Sequence, residues 1–81
     1  MLRVKLREAM DHYRHRYGER MTYERLASLT GLSRATLESL ASRNNYNTRL
    51  STIEKVCAAL RCQPGDLLDV LTENEAEAYE D

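Results

Sequence analysis

The side chains of this 81-residue chain best suited to chemistry are its cations, 12 Lys+Arg of which ten are arginine. A guanidinium is a planar fork of donors that pairs in bidentate fashion with phosphate and with the acceptor edge of guanine. Residues 1–65 hold 12 basic and 6 acidic side chains, a surplus of +6, whereas residues 66–81 hold 7 acidic and no basic ones, giving -7. The formal charge of -1 is the sum of these two halves. A basic body with a solvated acidic end suits a protein that binds an anionic partner. An arginine-rich surface made only for solubility has the same composition, so charge alone leaves both readings open.

Other reactive groups are sparse. Cys57 and Cys62 are five residues apart and His12 and His15 lie far upstream, which is not a zinc-ligand spacing. Cys57 reads as a small core residue on a helix and Cys62 as a loop residue, with both histidines facing solvent beside Tyr13. No Ser/His/Asp or Cys/His arrangement and no glycine-rich phosphate loop is apparent, so an enzyme is not expected, nor a metal or cofactor. Apolar residues make up 42% of the chain, enough to fill one modest core. The run Val56-Cys57-Ala58-Ala59-Leu60 is far short of the roughly 20 apolar residues of a membrane span. The start of the chain, Met1-Leu2-Arg3-Val4-Lys5-Leu6-Arg7, has no apolar signal region, which predicts a cytoplasmic protein without membrane contact.

The spacing of apolar residues predicts five helices and an all-α fold. Leu2, Leu6, Ala9, Met10, Tyr13 and Tyr17 mark one face of a first helix ending near Gly18. Leu2, Val4 and Leu6 also alternate, which suits a short extended lead-in. A second helix opens at the N-cap Thr22 and runs from Tyr23 to Thr30 into Gly31. A third opens at Ser33 and runs from Arg34 to Ala41. The following polar stretch, Ser42 to Arg49, holds three asparagines and favours turns. Ser51 and Glu54 form a capping-box pattern at the head of a fourth helix, which buries Ile53, Val56, Cys57 and Leu60. Pro64 suits a helix start, and Leu67, Leu68 and Leu71 give a short fifth helix. No useful alternating strand pattern follows residue 6.

The second and third helices are short and joined by Thr30-Gly31-Leu32-Ser33, the pattern of a helix-turn-helix unit. Ala27 is small where two helices must approach, and Gly31 suits a left-handed turn. Leu26, Leu32, Leu37 and Leu40 supply the contacts that set the angle between the helices.

The stretch Thr22-Tyr-Glu-Arg-Leu-Ala-Ser-Leu-Thr-Gly-Leu-Ser-Arg-Ala-Thr-Leu-Glu-Ser-Leu resembles the Cro/C1-type helix-turn-helix domains of phage-repressor-like regulators. So do Leu50-Ser-Thr-Ile-Glu-Lys-Val-Cys-Ala-Ala-Leu and Gln63-Pro-Gly-Asp-Leu-Leu, and the resemblance covers residues 5–71. It implies a compact five-helix, lambda-repressor-like bundle, and a homodimer that binds a double-stranded operator. The third helix, about residues 33–42, would enter the major groove. Arg34, Ala35, Thr36, Glu38 and Ser39 are then the candidates for base contact. Arg34 suits guanine, Ala35 and the Thr36 methyl suit a thymine methyl, and Ser39 suits a direct or water-mediated contact. Glu38 is open between accepting from cytosine, repelling phosphate and orienting Arg34. Thr22 and Tyr23 at the second helix N-terminus, with Arg43, Asn44, Asn47 and Arg49, suit the phosphate backbone. The loop carrying them departs from the shorter, glycine-containing connection usual in the family. Tyr46 suits either packing or a sugar–phosphate contact.

These readings divide the chain into a DNA-binding domain at residues 1–72 and an acidic tail at residues 73–81, which has no apolar stripe to bury. Leu68, Val70 and Leu71 are more apolar than a docked terminal helix requires and are the candidate dimer interface. The expected function is a sequence-specific regulator of transcription, a repressor of a phage, plasmid or other mobile-element operon. The alternative is an antitoxin-like interaction module that keeps the bundle without DNA specificity. Arg34, Arg43 and Arg49 around one helix end favour the former.

Overall fold

The computed structural model describes residues 2–42 and 48–70. The chain runs β1 (Leu2–Val4), α1 (Leu6–Tyr17), α2 (Tyr23–Thr30), α3 (Arg34–Ser42), α4 (Leu50–Leu60), α5 (Pro64–Leu67) and β2 (Leu68–Val70). All five helices are present, and a small two-stranded sheet joins them.

Each helix turns its apolar stripe inward. Leu6, Leu26, Leu37, Leu40, Val56 and Leu67 are completely or almost completely buried, and Val4, Ala9, Tyr13, Met21, Ile53, Cys57 and Leu60 complete the core. Thus α2 packs on α3 and α4, while α1 lies against α3, α4 and α5. Burial of a leucine side chain contributes about 2 kcal/mol, so this shared core, more than the propensity of eight-residue helices, holds them folded.

The sheet corrects two expectations. The first helix begins at Leu6 and not at Leu2, because Leu2–Val4 take the extended alternative and pair antiparallel with β2. The fifth helix ends at Leu67, and Leu68 is extended (φ -113°, ψ 141°). The register sets Leu2 opposite Val70, Arg3 opposite Asp69 and Val4 opposite Leu68. Arg3 Nη2 lies 3.5 Å from Asp69 Oδ2, an opposite-charge pair directly across the ladder. The Lys5 N–H donates to the Leu67 carbonyl at 2.7 Å, closing the sheet where β1 leads into α1 and α5 leads into β2. Backbone pairing at Leu68–Val70 competes with helix continuation, and its partner lies more than 60 residues away in sequence, beyond the reach of local spacing.

A third correction concerns α4. Its N-cap is Arg49, whose carbonyl accepts from the N–H groups of Thr52 at 3.1 Å and Ile53 at 3.3 Å. Ser51 therefore lies inside the helix, and the expected Ser51–Glu54 capping box is not formed. At its other end α4 closes on Arg61 in the left-handed conformation (φ 52°, ψ 46°), with the Cys62 N–H donating to the Cys57 carbonyl at 3.0 Å. The Arg61 guanidinium lies 5.3 Å from the centre of the Tyr17 ring, tying this turn to α1.

Candidate nucleic-acid interface

The geometry of α2 and α3 is fixed by capping and by one buried hydroxyl. Thr22 is extended (φ -93°, ψ 164°), and its Oγ1 accepts from the Arg25 N–H at 3.1 Å. Ser33 does the same for α3, its Oγ accepting from the Thr36 N–H at 3.1 Å and lying 2.8 Å from Thr36 Oγ1. Between the helices Gly31 adopts φ 75° and its N–H donates to the Ala27 carbonyl at 2.8 Å, the left-handed helix end expected of a glycine there. Thr30 is the buried polar residue of the turn. Its hydroxyl donates to the Leu26 carbonyl at 2.7 Å and accepts from the Leu32 N–H at 3.2 Å, so one side chain satisfies groups on both sides of the bend.

With Leu37 and Leu40 buried, α3 presents Arg34, Ala35 and Glu38 to solvent, flanked by the half-buried Thr36 and Ser39. These are the five residues expected at base edges; Arg34, Ala35 and Glu38 lie on the exposed face of α3, and Thr36 and Ser39 toward its margin with the core. Ser42 continues the exposed face, its hydroxyl donating to the Glu38 carbonyl at 2.7 Å.

Arg34 is held from three directions. Its Nε donates to Glu38 Oε1 at 3.0 Å, one turn along α3, and its Nη1 donates to Glu24 Oε1 on α2. Its guanidinium carbon also lies 5.9 Å from the centre of the Tyr23 ring. Hydrogen bonding by Glu38 and the negative charge of Glu24 hold the Arg34 pKa above its ordinary value, so the group is a permanent cation. Of the three roles open to Glu38, the structure shows the carboxylate oriented onto Arg34.

The remaining expected contacts fall in several places. The Thr22 hydroxyl is engaged as a cap, and Tyr23 underlies Arg34. Arg49 is exposed at the head of α4. Arg43, Asn44, Tyr46, Asn47 and Leu71 lie outside the described residues. Leu68 and Val70 are on strand β2 and not on a helix. His12 and His15 are exposed on α1, with His15 Nε2 3.5 Å from Asp11 Oδ2. Sequence reasoning missed Glu24 and Thr30. Glu24 is ten positions from Arg34 and meets it only through the angle between α2 and α3. Thr30 carried a local signal, a threonine immediately before the helix-ending glycine.

Comparison with known proteins agrees with this geometry. The family model of the Cro/C1-type HTH DNA-binding domain matches residues 5–73. The chain is similar to an uncharacterized HTH-type transcriptional regulator, YozG, of Bacillus subtilis, with 36% identity over 56 residues, covering 69% of this chain and 67% of the relative. Among solved structures it is similar to the restriction-modification controller protein C.AhdI from Aeromonas hydrophila, at 30% identity and a TM-score of 0.56 over 78% of this chain and 91% of the other. Among the described residues no helix is long and apolar enough to cross a membrane. The chain belongs to the Cro/C1-type helix-turn-helix family and is a DNA-binding regulator of transcription.

Proposed function

We propose that the protein represses a small operon by binding its operator as a homodimer, with α3 in the major groove. The observation that carries this reading is the accessible side of α3, where an oriented arginine stands beside small side chains. Arg34 pairs with the O6 and N7 acceptors of a guanine, and Ala35 and Thr36 lie against thymine methyl groups. Ser39 approaches a base directly or through water. Glu38 acts through Arg34. Phosphates are held by the N-terminus of α2 at Thr22 and Tyr23, by Arg49, and by Arg43, Asn44 and Asn47 of the loop before it.

The dimer forms through Leu68, Val70 and Leu71. Support comes from the exposed Leu2 and Val70, which face each other across the ladder with 51% and 78% of their surfaces accessible. The operon is that of a phage, plasmid or other mobile element, and the likeness to a restriction-modification controller protein supports a regulatory role of this kind.

Binding selection from a random DNA pool, followed by measurement of the selected site at several salt concentrations, tests this reading. An enriched inverted repeat is the expected result, its half-site spacing matching two recognition helices. Recovery of no sequence, with only weak salt-sensitive binding, would replace it with the interaction-module reading.

A further inference from the structure

The base-reading role proposed for Arg34 needs a side chain that is long and flexible to arrive in one orientation. We infer that Glu24, on α2, is the positioning residue that aims Arg34 at a single base pair and keeps it from serving as a general phosphate contact. The inference rests on the proposed DNA reading and extends it to a residue that does not itself lie on the recognition helix.

A guanidinium has five N–H donors. Glu38 takes the one on Nε, and Glu24 takes one of the two on Nη1. Three remain, one on Nη1 and two on Nη2. With Glu24 on the Nη1 hydrogen of the Cδ side, the end-on edge offers one N–H from each Nη, the pair that matches guanine O6 and N7. In that arrangement neither carboxylate has to leave for the base contact to form. The two anchors also differ in kind. Glu38 is four residues along the same helix and restrains Arg34 only relative to α3. Glu24 belongs to the preceding helix, so it fixes the guanidinium relative to the helix pair, and the Tyr23 ring, 5.9 Å from the guanidinium carbon, limits its movement on the third side. The fixed α2–α3 angle set by Thr30 and Gly31 is what makes this restraint reproducible.

The charge balance supports the second half of the inference. Two carboxylates surround one cation, so the cluster carries a net charge of -1. Such a cluster disfavours a phosphate at the Arg34 guanidinium itself while leaving a directional donor pair for a base edge. Glu24 thus weakens binding to DNA in general and sharpens discrimination at one position.

The test uses the site selected by the wild-type protein and its single-base variants, with Glu24→Gln, Arg34→Ala and the double variant. Glu24 is exposed, so the substitution leaves the core untouched. Glu24→Gln is expected to lower discrimination about tenfold at the base pair that Arg34→Ala relaxes, to leave other positions unchanged, and to strengthen binding to random DNA. Adding Glu24→Gln to Arg34→Ala should change nothing further at that pair. Wild-type discrimination in Glu24→Gln, equal loss at every position, or additive loss in the double variant would each overturn the inference alone. A wild-type site at which Arg34→Ala relaxes no base pair would instead overturn the Arg34 assignment, and the inference with it.

Discussion

The Thr30 hydroxyl donates to the carbonyl of Leu26, one turn earlier in α2, at 2.7 Å. Because the same oxygen accepts from the Leu32 N–H at 3.2 Å, this bond bridges the end of α2 and the start of the turn. Thr30→Val keeps the side-chain shape and removes the bridge. It should cost about 1–3 kcal/mol in urea unfolding, since a half-buried N–H loses its partner. A loss below a few tenths of a kcal/mol would show that the bridge is not a structural constraint.

Gly31 tests the backbone part of the same turn. A Cβ built at this position meets nothing within 4 Å, while φ is +75°. Gly31→Ala should therefore destabilise by about 1 kcal/mol through backbone conformation alone, without a steric clash. A cost above roughly 3 kcal/mol would mean that the turn is tightly packed as well as left-handed.

Arg34 and Arg49 should separate by role. Arg34→Ala is expected to cost about 1–3 kcal/mol on the selected site and to relax one base pair. Arg49→Ala should weaken binding to all sequences and reduce the salt slope by about 1. Arg43→Ala should behave like Arg49→Ala. Identical profiles for Arg34→Ala and Arg49→Ala on specific and random DNA would contradict both assignments.

The two thiols offer a check on the packing behind the site. Burial, then the neighbouring Cys57, pushes the Cys62 thiol up to about 11, and burial raises Cys57 as well. A thiol whose folded pKa lies above its unfolded value contributes stability that is fully present below the unfolded pKa, near 9.0, and lost as pH rises toward 11. Alkylation at pH 8 should be at least about tenfold slower in the native protein than in urea, because little thiolate is present. Equal rates would show that the end of α4 is open to solvent.

Much of this fold is legible in local spacing. Thr22, Ser33, Gly18 and Gly31 mark helix ends by chemistry that acts within four residues, and each lies at a helix end in the structure. The inward faces of α2, α3 and α4 follow from their apolar periodicity. The sheet was not legible, since Leu68 and Val70 carry no strand signal apart from Leu2 and Val4, which meet them only after the chain closes. Ser51 misled for a related reason, because a capping-box pattern records a possible helix start, and the backbone at Arg49 sets the actual one. At the site, the Arg34–Glu38 pair was readable as an i, i+4 contact, whereas Glu24 required the angle between two helices.

Methylation interference on the selected operator probes the Arg34–guanine contact itself, because a methyl group on guanine N7 occupies the major-groove acceptor assigned to Arg34. Methylation of one guanine in each half-site is expected to block the wild-type protein, and this interference is expected to disappear in Arg34→Ala. An interference pattern that is the same for both proteins, or one confined to minor-groove adenine positions, would contradict that contact.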